Sequence, residues 1–187
     1  YMDYINLMTY DYYGAWNGTL GHMTGVNPNP NSPIAGFSTR EAVEHILARQ
    51  VPASKVTIGA AMYGRGWKTV NNVQNGNPFT GTGGEGIAGS WEKGIEDYKK
   101  IESNMMGGVN GTGANGFSLL WDDTAKASYV WNPATKTLVS FDTQRSVKAK
   151  GDLIRQYNLG GVFAWELDGD NGHILNAMHE ALSHPQQ

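Results

Sequence analysis

Three short apolar runs constrain the fold of this 187-residue chain more than any other feature. They read YINLMT, VTIGAAM and GVFAWEL, without a regular alternation of polar residues. Continuous apolar runs of this length are typical of parallel strands that are covered on both faces. We therefore predict strands at Tyr4–Thr9, Val56–Met62 and Gly161–Leu167.

An amphipathic helix follows each predicted strand in the sequence. Ser38 and Glu41 form a capping-box signature at the start of the first helix, and Asp142 is the predicted N-cap of the second. Gly160 follows the second helix as its stop signal. The predicted helices are Thr39–Gln50, Thr143–Tyr157 and His173–Ser183.

The connections between these elements are asymmetric in length. Residues 51–55 and 158–160 join a helix to the next strand, whereas residues 10–38 and 63–142 join a strand to the next helix. Long connections in compact domains tend to be functional. Both long connections leave the C-terminal ends of parallel strands, which is the face where (β/α)8 barrels build their active sites.

The 63–142 connection is long enough to form a subdomain of its own. It contains a predicted helical stretch at Trp91–Ser103, a strand at Phe117–Trp121 and a hairpin that turns at Asn132–Lys136. We expect a small α+β insertion with an antiparallel sheet.

The predicted fold class is α/β, as the last part of a (β/α)8 TIM barrel. A complete barrel needs about 250 residues, and three βα units cannot close one. We predict a partial barrel domain at 1–62 and 143–187, interrupted by the insertion subdomain at 63–142. The chain starts at Tyr1 without an initiator Met. We therefore expect a piece of a longer protein, with the N-terminal half of the barrel missing and the first strand left as an apolar edge.

The composition argues against several classes of partner and cofactor. The net charge is −3 without a basic run, which argues against nucleic-acid binding. No apolar stretch approaches the roughly 20 residues that span a membrane. Residues 81–86 fit G-x-G-x-x-G but follow no strand, and His179 and His184 lie on different helix faces, where they cannot share a metal. We expect no cofactor and no metal.

Aromatic and polar side chains follow the predicted strands at the ends that meet in a barrel. Tyr10 and Asp11 follow the first strand, Tyr63 and Arg65 follow the second, and Trp165 lies near the end of the third. Sugar rings stack on aromatic side chains, and sugar hydroxyls need hydrogen-bonding partners. The pattern therefore indicates a carbohydrate cleft. The alternative is that these aromatic side chains only fill the core.

Three stretches resemble signatures of the family-18 glycoside hydrolases, the chitinases. Residues 8–11 (MTYD), 61–67 (AMYGRGW) and 160–168 (GGVFAWELD) are similar to the motifs of barrel strands six, seven and eight in that family. Residues 89–95 (GSWEKGI) are similar to a stretch of secreted bacterial chitinases. The resemblance implies strands six to eight of the barrel with the insertion after strand seven. It also implies a secreted protein, either extracellular or periplasmic.

The resemblance implies hydrolysis of β-1,4-linked N-acetylglucosamine with retention, in which the acetamide of the substrate is the nucleophile. Tyr10 and Asp11 would be the catalytic residues: the Tyr10 hydroxyl would hold the acetamide, and Asp11 would bind the sugar beside the scissile bond. Chitin or chitooligosaccharides would be the partner. The implied substrate-binding residues are Met8, Trp16, Met62, Tyr63, Arg65, Trp91, Glu92 and Trp165.

One element of the family pattern is absent from the sequence. The general acid of the family is the Glu of D-x-x-D-x-D-x-E, and no such pattern occurs here. Glu166 is not a substitute, since alternation along the strand would point it away from the side that Trp165 faces. We expect the acid to lie outside this chain and the isolated chain to be inactive. Two alternatives stay open: a chitin-binding lectin of the same fold, and a structural module that binds a protein through the insertion.

Overall fold

The computed structural model describes residues 2–16 and 18–183, so His184 lies outside the described residues. The strands are β1 (Ile5–Leu7), β2 (Val56–Ala61), β3 (Tyr63–Trp67), β4 (Ile95–Asp97), β5 (Ser118–Asp122), β6 (Ala127–Asn132), β7 (Thr137–Phe141) and β8 (Gly161–Trp165). The helices are α1 (Thr39–Leu47), α2 (Tyr98–Ile101), α3 (Gln144–Tyr157) and α4 (His173–Ser183). Short 3-10 turns lie at Ala53–Lys55, Pro78–Thr80 and Leu167–Gly169, and a π-helical turn at Glu102–Met106 follows α2.

The first sheet is parallel, with the strand order β1-β2-β8. Its three strands are those that the apolar runs predict, although each is shorter than predicted. β8, for example, ends at Trp165, because the chain enters a 3-10 turn at Leu167. In the register of β2 and β8, Ala61 lies opposite Trp165, so both strands end at the same edge of the sheet.

Apolar side chains from the helices cover this sheet. Val43 of α1 and Leu153 of α3 belong to one buried cluster with Val56 and Ile58 of β2. A second cluster joins Ala60 of β2 and residues of β8 to α3, α4 and residues between 62 and 141. Both faces of β2 are therefore buried, which explains its continuous apolar sequence.

The prediction of Asp142 as the N-cap of α3 is wrong. Thr143 is the cap: its side chain accepts from the Ser146 backbone N–H, and Ser146 Oγ accepts from the Thr143 N–H. The Asp142 carboxylate instead lies in the core, where it accepts a 2.6 Å hydrogen bond from Lys150 Nζ. α1 also ends earlier than predicted, at Leu47.

The second sheet is antiparallel, with the strand order β4-β3-β7-β6-β5, and its strands lie between residues 63 and 141. The predicted hairpin is confirmed by β6 and β7. The predicted helix at Trp91–Ser103 is wrong in its first part, because Ile95–Asp97 is a strand that pairs with β3 and the helix begins only at Tyr98. Within the described ranges, no helix is long and apolar enough to cross a membrane.

Candidate active site

The side chains predicted to share a site come from the C-terminal edge of the parallel sheet. Tyr10 and Asp11 lie in the loop after β1, Tyr63 begins β3 and is separated from β2 by one residue, and Trp165 ends β8. Because the three strands are parallel and neighbouring, their ends bring these residues to one edge. This convergence supports the prediction of a common site.

The Asp11 carboxylate is held by two donors from β3. The Tyr63 hydroxyl donates to Asp11 Oδ1 at 2.7 Å, and Arg65 Nε donates to the same oxygen at 2.9 Å. Asp11 itself has a positive φ of 59°, a backbone conformation that few non-glycine residues adopt. Burial of Tyr63, followed by the negative charge of Asp11, raises the pKa of the Tyr63 hydroxyl far above its usual value. Tyr63 therefore stays protonated and remains a hydrogen-bond donor.

The Tyr10 ring lies beside the Asp11 carboxylate and its two donors, and it is largely buried. It makes edge-on contacts with the Tyr63 and Phe163 rings, each at 6.1 Å between centroids. Within the described part of the chain, the Tyr10 hydroxyl has no hydrogen-bond partner. Burial of the ring, and then the negative charge of Asp11, raise the pKa of this hydroxyl. Tyr10 therefore presents a protonated hydroxyl that can donate to a ligand.

Gly59 in the middle of β2 makes room for the Tyr10 ring. A Cβ atom at Gly59 would lie 2.5 Å from Tyr10 Cε1, which is closer than carbon atoms approach each other. Glycine inside a strand often marks such a close approach. Gly59, Phe163 and Met23 pack around Tyr10, and sequence reasoning missed all three. The glycine inside an apolar strand and the placement of Phe163 two residues before Trp165 are the signals that could have found two of them.

Trp16 extends the site along the loop that follows Tyr10. The Arg65 guanidinium carbon lies 4.9 Å from the centroid of the Trp16 ring, in a cation–π arrangement. Arg65 therefore contacts Trp16 through its face and Asp11 through Nε. About half of the Trp16 surface is exposed, so its ring is available to a ligand.

The remaining predicted residues divide into exposed and buried ones. Met8, Trp91 and Trp165 are 73%, 77% and 55% exposed, and Glu92 is exposed as well. Trp91 and Glu92 lie in the loop before β4, whose Ile95 pairs with Arg65. Met62 is fully buried and packs in the cluster that includes Ile101. This burial does not support the expected contact between Met62 and the substrate.

The comparison with known protein families agrees with the resemblance that the sequence motifs show. The sequence matches Glycosyl hydrolases family 18 over residues 1–170. The chain belongs to this family. It is 42% identical to Chitinase A of Pseudoalteromonas piscicida, covering 98% of this chain and 25% of that protein. It is 41% identical to a chitinase of Autographa californica nuclear polyhedrosis virus, covering 94% of this chain and 30% of that protein.

Solved structures of family-18 chitinases have the same fold as this chain. A cell-surface-expressed multi-modular chitinase from Paenibacillus sp. str. FPU-7 superimposes with a TM-score of 0.83 at 32% identity, covering 98% of this chain and 20% of that one. A chitinase from Bacillus thuringiensis gives a TM-score of 0.82 at 30% identity, covering 100% and 33%. The chain therefore has the family-18 α/β fold and spans a third or less of these relatives.

A cavity of this family-18 chain lies away from Tyr10 and Asp11. It has a volume of about 760 Å³ and lies between the loop after β1 and the β5–β6 hairpin. Asp122 in its wall accepts from His22 Nε2 and Asn29 Nδ2, each at 2.9 Å, and from the backbone N–H groups of Thr124 and Ala125. Tyr10, Asp11, Tyr63 and Arg65 do not line this cavity, and we assign the site to the strand ends instead.

Proposed function

We propose that the complete protein hydrolyses β-1,4-N-acetylglucosamine linkages in chitin and chitooligosaccharides. The observation that carries this proposal is the Asp11 carboxylate held by Tyr63 and Arg65 beside the Tyr10 hydroxyl, which has no hydrogen-bond partner among the described residues. The names of the chitinase relatives support the same substrate class. Exposed aromatic rings beside these polar groups suit sugar rings, which have apolar faces and polar edges.

The proposed mechanism is substrate-assisted and retaining. The acetamide carbonyl oxygen of the substrate attacks the anomeric carbon, the glycosidic C–O bond breaks, and the leaving oxygen takes a proton from a general acid outside this chain. Water then attacks the anomeric carbon, the bond from this carbon to the acetamide oxygen breaks, and one proton of the water goes to the carboxylate that the general acid has become. The Tyr10 hydroxyl donates a hydrogen bond to the acetamide, and this bond holds the acetamide carbonyl oxygen in position for the attack. Asp11 binds the sugar beside the scissile bond.

The remaining residues form the cleft in this proposal. Trp165 is the floor under the sugar whose bond breaks, and the rings of Trp16 and Trp91 flank it at neighbouring sugars. Met62 is not among the proposed contacts, because its side chain has no exposed surface. The other proposed contacts are Met8, Tyr63, Arg65 and Glu92.

We also propose how this fold fits into the complete protein. The parallel sheet would be strands six to eight of a (β/α)8 barrel, formed by residues 1–62 and 143–187. Residues 63–142 would be the insertion after strand seven, and the acidic D-x-x-D-x-D-x-E motif would lie in the rest of the barrel. We propose a secreted protein, since the 89–95 stretch is similar to secreted bacterial chitinases.

The test uses the complete protein and chitooligosaccharides. We expect hydrolysis in which the first product detected by proton NMR is the β-anomer, as retention requires. Tyr10→Phe should lower kcat by about 100-fold with a much smaller change in KM, because the hydroxyl acts as charge develops on the acetamide. Tyr13→Phe is the matched control, because its buried hydroxyl bonds Ser32 Oγ at 2.6 Å rather than facing the site.

The outcomes separate the proposal from its alternatives. Tight oligosaccharide binding without turnover would favour the lectin of the same fold. Absence of both binding and turnover would favour the structural module. Release of the α-anomer first would contradict the retaining mechanism.

A further inference from the structure

A fully buried lysine lies behind the candidate active site. Lys150 of α3 has no exposed surface, and its Nζ donates to Thr24 Oγ1 at 2.6 Å, to the Gly59 carbonyl at 2.8 Å and to Asp142 Oδ2 at 2.6 Å. An ammonium group has three N–H donors, so each of them has an acceptor here. None of these contacts belongs to the proposed chemistry.

Asp142 extends the network along β2. Its Oδ2 accepts from the Ala61 backbone N–H at 2.9 Å, and its Oδ1 accepts from Ser146 Oγ at 2.7 Å. Lys150 and Asp142 together therefore bond the backbone of β2 at Gly59 and Ala61, the two residues on either side of Ala60. The buried pair therefore holds the C-terminal end of β2, the strand against which the Tyr10 ring packs.

Thr24 carries the same network to the residue before Tyr10. Because Lys150 donates to Thr24 Oγ1, the hydroxyl hydrogen of Thr24 is directed to the Thr9 carbonyl, at 2.8 Å. The Thr9 side chain in turn donates to the Gly59 carbonyl at 3.1 Å and accepts from the Gly59 N–H at 2.9 Å. The backbone before Tyr10 is thus bonded both to β2 and to Thr24.

The Tyr10 ring packs against the residues that this network holds. It lies on Gly59 with no room for a Cβ atom, and it shares a buried cluster with Met23, the residue before Thr24. Displacement of Gly59 or of Thr24 would therefore move the ring. A buried ion pair often stabilises a fold no more than apolar side chains of the same volume would, so stability alone does not account for it.

We propose that Lys150, paired with Asp142, is a positioning residue that sets the Tyr10 hydroxyl through Thr24 and Gly59. This inference rests on the proposed function, in which Tyr10 holds the acetamide. Errors of about 1 Å in the placement of reacting groups lower rates by up to about 100-fold. Loss of the network should therefore appear in kcat before it appears in substrate affinity.

Thr24→Val tests the link from Lys150 to Thr9. Valine has nearly the same shape as threonine but lacks the hydroxyl that bonds both residues. In the complete protein we expect kcat to fall about tenfold, with KM changed less than twofold. Leu153→Ala is the matched control, since Leu153 is also buried on α3 but belongs to the cluster with Val43 and Ile58. It should lower Tm while kcat, measured well below Tm, stays within twofold.

A double-mutant cycle separates positioning of Tyr10 from general damage. If the network acts through the Tyr10 hydroxyl, adding Thr24→Val to Tyr10→Phe should slow turnover less than twofold beyond Tyr10→Phe alone. Additive effects would overturn the proposal. So would a kcat loss that follows the drop in Tm, as a purely structural role predicts.

A second measurement does not depend on turnover. The NMR resonance of Tyr10 Cζ, assigned with Tyr10→Phe in tyrosine-labelled protein, should shift or broaden in Thr24→Val and in the double variant Lys150→Met/Asp142→Asn, which removes both buried charges. It should not change in Leu153→Ala. If the complete protein shows no hydrolysis but this resonance responds, the proposed function fails and the positioning role is supported. A resonance that does not respond overturns the positioning role.

Discussion

The Tyr63 hydroxyl donates a 2.7 Å hydrogen bond to Asp11 Oδ1 across 52 residues of sequence. This bond joins β3 of the antiparallel sheet to the loop that follows β1 of the parallel sheet. Arg65, two residues further along β3, donates to the same oxygen at 2.9 Å. The carboxylate proposed to bind the sugar is therefore oriented by the insertion and not by its own strand.

Tyr63→Phe should lower kcat/KM of the complete protein about tenfold on a chitooligosaccharide. The change removes one of two donors to Asp11, and a hydrogen bond to a charged group contributes about 1.5–3 kcal/mol. Arg65 keeps the carboxylate in place, so some activity should remain. Tyr157→Phe is the control, because the Tyr157 hydroxyl bonds Glu44 at an exposed position. Equal kcat/KM for wild type and Tyr63→Phe would mean that Asp11 needs no such support.

Trp165→Ala should weaken chitooligosaccharide binding about tenfold with little change in Tm. Aromatic stacking contributes about 0.5–1.5 kcal/mol beyond area burial, whereas Trp165 is 55% exposed and so leaves no large cavity. Trp165→Phe should keep part of the affinity. Calorimetric titration of an acid-disabled complete protein measures both variants against Leu182→Ala, whose side chain is 51% exposed on α4. Unchanged affinity in Trp165→Ala would remove Trp165 from the cleft.

Asp122→Asn should make the melting temperature depend less on pH in the acidic range. Burial is the largest influence on Asp122 and raises its pKa, but hydrogen bonds from His22, Ala125 and Thr124 outweigh it and lower the pKa from 3.8 to about 2. A carboxylate with a lowered folded pKa contributes stability above the unfolded pKa, and this contribution is lost as the pH falls through the folded value.

The measurement is Tm as a function of pH between about 2 and 6. At pH 6 the variant should melt about 2–4 °C below wild type, which corresponds to about 1 kcal/mol after allowing for the partial exposure of the group. Near pH 2 the two proteins should converge. The exposed Asp3→Asn should melt like wild type throughout. A constant Tm difference across the range would show that the Asp122 charge makes no such contribution.

The 187-residue chain alone should not hydrolyse a chromogenic chitobioside. It contains no D-x-x-D-x-D-x-E motif, and general acid catalysis contributes roughly 100-fold to 10,000-fold. The complete protein, assayed at the same molar concentration, is the positive control. Turnover by the purified chain above a vector control would mean that it contains a proton donor that its sequence pattern does not reveal.

The parallel sheet was predictable because the apolar runs of β1, β2 and β8 are local signals. β3 was not predicted as a strand, because Gly64 and Gly66 are residues that strands usually lack. Tertiary packing requires these glycines: a Cβ at Gly64 would lie 2.7 Å from Ile101 Cδ1, and one at Gly66 would lie 2.5 Å from Ile87 Cδ1. Such contacts override the preference of strands for bulky residues.

The convergence of Tyr10, Asp11, Tyr63 and Arg65 was likewise predictable from where the strands end. The network behind them was not. Lys150 lies in an amphipathic helix, where a lysine is usually solvent-exposed, and nothing in the local sequence indicates its partner residues. Its burial depends on three segments far apart in the chain, which only the folded structure brings together.

The insertion is joined to the parallel sheet at two points that meet on β2. Only Met62 separates β2 from β3, and at the other end Asp142 bonds the Ala61 N–H. Residues 63–141 are therefore tied to β2 at both of their ends. A chimera that exchanges residues 63–141 between relatives would therefore transplant Tyr63 and Arg65 with the insertion, and with them both donors that orient Asp11.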